Sequence, residues 1–206
     1  MTTRKILTGA LVAAILVGCA TAPSDDRIWA EADAMLKSSF KARGQAGLDR
    51  LDQDATQRLC SESAGRAPPA DVAKRIETEN LATIRYPADG KLLGDWKRGE
   101  KIAQDGRGKQ YSDNPAGPVG GNCYACHQLA PQEVAYGTIG PSLYRFGRLR
   151  GYGVETERYV YGKIFNSEAF AACSTMPRFG HNGILSEQQI KDVTALLMDP
   201  ASPVNQ

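Results

Sequence analysis

Histidine is nearly absent from this 206-residue chain: only His127 and His181 occur. Any site that depends on imidazole therefore has at most two residues to use. Excess charge of one sign is also missing. The formal net charge is +2, which calls for no polyanionic partner such as nucleic acid and leaves local charge patches as the electrostatic feature to look for. No run alternates with the period of a strand, no segment repeats and none is of low complexity. The class expected is all-α with long loops. The apolar run at 6–17 is too short to span a bilayer comfortably. With 42% hydrophobic residues the chain is nonetheless long enough for one or two domains with their own cores.

The sequence does contain Cys123-Tyr124-Ala125-Cys126-His127. A Cys-x-x-Cys-His run is the attachment signature of a c-type haem, in which both thiols become thioether links and the histidine is carried to the iron. A thioredoxin-like dithiol lacks the trailing histidine, and a zinc site needs a second ligand pair. The shortage of histidine excludes a second Cys-x-x-Cys-His site, so a single covalently attached haem is expected.

Arg4 and Lys5 precede the 6–17 run, which reads as an export signal spanning residues 1–22. Leu16-Val17-Gly18-Cys19 resembles a bacterial lipobox, with Cys19 acylated and the mature protein projecting into the periplasm from a membrane face. The alternative is an ordinary cut after Ala22, which would place Pro23 at the first mature position. Of five cysteines, Cys60 and Cys173 then remain. In an oxidising compartment they are expected as a disulfide, with a free Cys173 near the iron as the alternative.

Helical spacing of Ile28, Trp29, Ala32, Met35, Leu36 and Phe40 predicts an amphipathic helix over 26–43, broken by Gly44 and Gly47. A second helix carries Leu48, Leu51, Ala55, Leu59 and Cys60, and a third carries Val72, Ala73, Ile76 and Leu81. These form a helical N-terminal extension, residues 23–93, whose stripes need a partner surface. The haem domain is placed at 94–206. Asp95 caps a helix starting at Trp96, and the glycine- and proline-rich stretch 104–122 is a surface loop leading into the motif. A further helix is expected at 156–166. For the last, Ser186 and Gln189 form a capping box, Leu185 and Ile190 a hydrophobic staple, and Pro200 ends it.

An electron carrier needs a second strong axial ligand. Met176 is the candidate, because Pro177 and Gly180 can hold its inter-helix loop so that the thioether points inward. His181 is the competitor; thioether sulfur raises the potential relative to imidazole. Pro141, in the rigid turn Gly140-Pro141-Ser142-Leu143, is expected at the haem edge with a nearby carbonyl for the other nitrogen of His127. Arg145, Arg148 and Arg150, with Arg178, make a basic cluster suited to docking a redox partner.

Taken in order, Asp95-Trp96-Lys97-Arg98-Gly99-Glu100, Gly120-Gly121-Asn122-Cys123-Tyr124-Ala125-Cys126-His127, Gly140-Pro141-Ser142-Leu143, Met176-Pro177-Arg178-Phe179-Gly180 and Ser202-Pro203-Val204-Asn205 resemble the SoxX family, the monohaem subunits of the SoxAX cytochrome of bacterial sulfur oxidation. The resemblance spans roughly residues 92–205 and implies a class I-like cytochrome c domain with His127 and Met176 as axial ligands. It also implies a SoxA partner with a cysteine-ligated haem, where thiosulfate is oxidatively joined to the carrier cysteine of SoxYZ, and a mobile cytochrome c that takes the electrons onward. On this reading the chain is the redox subunit of a haem-dependent L-cysteine S-thiosulfotransferase and does not turn over alone. A stand-alone electron shuttle and a gas-binding haem sensor are the other classes the same residues allow.

Overall fold

The computed structural model describes residues 25–206; the export signal and Cys19 lie outside them. The described residues divide into two compact units, one ending at Phe40 and one comprising Lys41–Gln206. In the first, α1 (Asp25–Ser39) is the amphipathic helix, and Ile28, Trp29, Met35, Leu36 and Phe40 on its apolar face are all exposed. No helix among the described residues is long and apolar enough to cross a membrane.

The second unit is all-α. It holds α2 (Ala55–Glu62), α3 (Ala70–Leu81), α4 (Trp96–Gln104), α5 (Phe146–Arg150), α6 (Val154–Phe165) and α7 (Glu187–Met198), with single 3-10 turns at Leu48–Leu51, Cys123–Ala125, Ser167–Ala169 and Pro203–Asn205. Arg43 and Ala46 form an isolated bridge, and the described residues contain no strand. The helices of the expected extension, α2 and α3, lie in the same unit as everything from residue 94 onward.

Several helix ends follow directly from side-chain chemistry. Asp95 accepts from Lys97 N at the start of α4, while Ser186 and Gln189 cap α7 reciprocally. The expected second helix is split. Asp54 and Gln57 build a complete capping box that starts α2 anew at Ala55, so Leu48–Leu51 is left as a separate turn. Helix α5 was not anticipated: it is five residues long and is entered through Arg145 in the left-handed region, φ +58°. A single turn is too short to show periodicity.

The core forms where α6 and α7 pack together, with Tyr161, Ile190, Leu196, Met198 and Val204 essentially inaccessible. Helices α4 and α7 cross at unusually short range. A Cβ on Gly99 would lie 2.1 Å from Asp192 O, so only glycine permits the approach. Asp192, 2% exposed, closes the crossing by accepting from Asp95 N (2.9 Å), Arg98 Nε and Nη2 (2.9 and 3.0 Å) and Gln188 Nε2 (2.9 Å). Burial pushes its carboxyl up, but Arg98 and the N–H donors outweigh burial and hold it below its ordinary value.

Asp192→Ala removes the buried acceptor of four hydrogen bonds, two of them from a guanidinium, and is expected to cost about 2 kcal/mol in a urea titration at neutral pH. Because the folded carboxyl titrates below its unfolded value, the charged network contributes above roughly pH 4 and is lost as pH falls through the folded value. The variant should accordingly show a flatter acid limb of stability than the wild type.

Candidate haem site

The attachment motif opens on a backbone held against the end of α4. Gly121 N donates to Ile102 O (2.8 Å) and Asn122 N to Asp105 O (2.9 Å), while Gly120 approaches so closely that a Cβ would lie 1.8 Å from Asp105 O. Asn122 then turns the chain in the left-handed conformation, φ +47°, which asparagine tolerates better than most residues. Cys123–Ala125 forms a 3-10 turn, with Cys126 N and His127 N both donating to Cys123 O. Cys123 packs against the hydrophobic core, and burial pushes its thiol up to about 12.

The following segment is zipped onto this turn. Gly137 N donates to Tyr124 O, Gly140 N to Cys126 O and Leu143 N to Gln128 O, each at 2.8 Å. That short ladder delivers the carbonyl of Pro141 to Nδ1 of His127 at 2.8 Å. A carbonyl can only accept, so Nδ1 carries the proton and Nε2 keeps its lone pair. The bond thus selects the tautomer that an iron ligand requires. The carbonyl that sequence reasoning sought near Pro141 is that of Pro141 itself.

Gly140 lies flat against the imidazole. A Cβ there would sit 2.2 Å from Cε1 and 2.4 Å from Nδ1 of His127. Apolar side chains complete the setting: Leu143, Met176 and Ile184 are half-buried against a core that includes Phe179 and Leu185. Two thiols at attachment spacing and an imidazole whose Nδ1 faces the Pro141 carbonyl fit a covalently held haem.

Met176 lies on the arm 166–181, with its carbonyl accepting from Ser167 Oγ and its N–H bonded to Ser174 Oγ. His181 is exposed, and its Nδ1 lies 3.3 Å from Thr83 Oγ1. Cys60 and Cys173 form a disulfide with Cα atoms 5.3 Å apart. Arg178 does not belong to a surface cluster: it is 6% exposed and paired with Asp54. Arg145, Arg148 and Arg150 remain exposed; Arg145 stacks on Tyr144 and donates to Gln206 O. The C-terminal turn supports this region, since Val204 O accepts from Arg145 N and Asn205 Oδ1 from Arg148 N. Sequence reasoning missed the partner of Arg178, since Asp54 lies 124 residues away along the chain.

Residues 96–199 match the family model described as Cytochrome c. A protein of Aquifex aeolicus called an uncharacterized lipoprotein is 43% identical over 159 residues, covering 74% of this chain and 73% of that protein.

Replacing Gly140 by alanine should displace the imidazole and break the bond to Pro141. The expected readout is loss of the slowly exchanging imidazole Nδ1–H resonance of His127, with far-UV circular dichroism unchanged.

Proposed function

This chain belongs to the cytochrome c family, and from that premise we propose that it is an exported electron-transfer cytochrome carrying one haem c between His127 and Met176, and that it serves as the redox subunit of a SoxAX-type thiosulfate-oxidising complex. One-electron exchange between ferric and ferrous iron is the chemistry that haem supplies when bound. The chain's own residues do the rest. Cys123 and Cys126 would hold the group covalently, and Pro141 O, 2.8 Å from Nδ1, orients the His127 ring. A thioether opposite imidazole favours the reduced iron and so suits an acceptor of electrons.

The observation that carries the electron-transfer reading is the 2.8 Å contact of His127 Nδ1 with Pro141 O, which turns Nε2 outward as a ligand immediately after two thiols at attachment spacing. The SoxX-like assignment is supported by the order of the five motifs named above. Two of them meet in space: Gly140 N donates to Cys126 O, and Pro141 O faces His127 Nδ1. In that role the partner joins thiosulfate to a carrier cysteine through a new sulfur–sulfur bond, and the two electrons released leave one at a time through this chain. The periplasmic anchor through Cys19 draws support from the Aquifex relative, which is called a lipoprotein.

The test is thiosulfate-dependent cytochrome reduction with purified SoxA-type partner and SoxYZ-type carrier. No activity is expected from the chain alone, restoration with the partner, and a large loss in Met176→Ala. A chain that shuttles electrons between unrelated redox proteins and shows no affinity for that partner would return the reading to a free-standing carrier.

A further inference from the structure

The arm that carries Met176 is fastened along its length to one region of sequence, residues 54–83. At its start, Asn166 Nδ2 donates to Asn80 Oδ1 and Thr83 Oγ1, both at 2.9 Å. Ala172 N donates to Glu77 Oε1 (3.2 Å), and the next residue, Cys173, is bridged to Cys60. Beyond Met176, Arg178 pairs with Asp54, whose own carboxylate caps α2. His181 ends the series against Thr83. The methionine therefore lies three residues after a covalent tie and two before a buried arginine held by an ion pair.

The backbone between these ties is not relaxed. Cys173 sits in the left-handed region, φ +60°, a conformation that persists in a non-glycine residue only when its surroundings over-determine it. Those surroundings are the disulfide and the carboxylate of the nearly buried Glu168, which accepts from Cys173 N at 2.6 Å. The turn at Cys173 aims the segment that follows.

We propose that Cys60, Cys173, Asp54 and Arg178 are positioning residues for Met176, so that helices α2 and α3 act as a clamp that keeps the thioether on the iron. This rests on the assignment of Met176 as axial ligand. The clamp acts on the sulfur side alone; His127 is held by its own local ladder.

The test uses the full haem-loaded chain. Cys60→Ala/Cys173→Ala and, separately, Asp54→Asn are compared with the wild type by the weak sulfur-to-iron band of the ferric form, by carbon monoxide uptake of the ferrous form and by far-UV circular dichroism. The double variant should lose the band and take up carbon monoxide while keeping its helix content. Asp54→Asn, the milder change, should lose the band at a lower temperature than the wild type, and it carries the test alone if the double variant fails to fold. Asp192→Ala serves as the control for stability, and should keep the band up to its own unfolding transition. Wild-type behaviour in both clamp variants overturns the clamp, as does equal loss in Asp192→Ala. A wild type that lacks the band overturns the Met176 assignment and the clamp with it; a wild type that shows the band, with unaltered variants, overturns the clamp alone.

Discussion

The crossing of α4 over α7 is the constraint on which the rest hangs. Two backbones touch at Gly99 because no side chain intervenes, and Asp192 closes the gap with four hydrogen bonds to groups from both sides. Once α4 is fixed, its last turn offers the carbonyls of Ile102 and Asp105 to the residues that open the Cys-x-x-Cys-His motif. Helix α7 contributes as well, since Gln189 Nε2 donates to Val119 O in the loop leading there. The attachment turn thus inherits its position from a helix pair that takes no part in chemistry. A shift of α4 along α7 would move both thiols together.

From this frame His127 and Met176, the two ligands proposed for the iron, are held in different ways. On the histidine side everything is local: three backbone bonds zip residues 137–143 to 124–128, and the Pro141 carbonyl arrives as part of the ladder. On the methionine side the holding groups come from 54–83, through side chains and one covalent bond. The distinction matters physically because a ladder of backbone bonds depends little on side-chain identity, whereas the sulfur side depends on a handful of particular residues. Among them, Asp54 is pushed up by burial but pulled below its ordinary value by Gln57 N–H and Arg178, so its charge persists through the neutral range. That keeps Arg178, buried next to Met176, from being left an unpaired charge.

This asymmetry also explains what could be read from the residues alone. The caps at Asp95 and Ser186 and the carbonyl near Pro141 all depend on residues a few positions apart, or on one rigid turn, and spacing rules reach that far. The break before α2 depended equally on local chemistry. Its capping box at Asp54 and Gln57 was overlooked because apolar residues on either side continue the same helical spacing. Helix α5, with its left-handed entry at Arg145, leaves no periodic trace. The pairing of Cys60 with Cys173 and the burial of Arg178 against Asp54 are tertiary facts, and spacing carries no information on which distant segments meet. Arg178 looked like one more surface cation because its neighbours in sequence gave no hint of an acid 124 residues away.

The cost of the long-range ties bears on why one of them is covalent. His127 meets Pro141 across 14 residues, whereas Cys60 meets Cys173 across 113. Closing the longer loop costs about 2 kcal/mol more conformational entropy than closing the shorter one. A single hydrogen bond returns about 1 kcal/mol net and would not offset that difference. A disulfide restricts the unfolded chain as well, so the closure cost is met when the bond forms and recurs neither on folding nor on each excursion of the arm. With the bridge in place, the weaker ties at Glu77, Thr83 and Asn80 act across a loop already closed, where each needs to order only a few residues. The proposed export into an oxidising compartment would suit this arrangement, since a chain kept reduced would lose the bond that closes the loop for the neighbouring contacts.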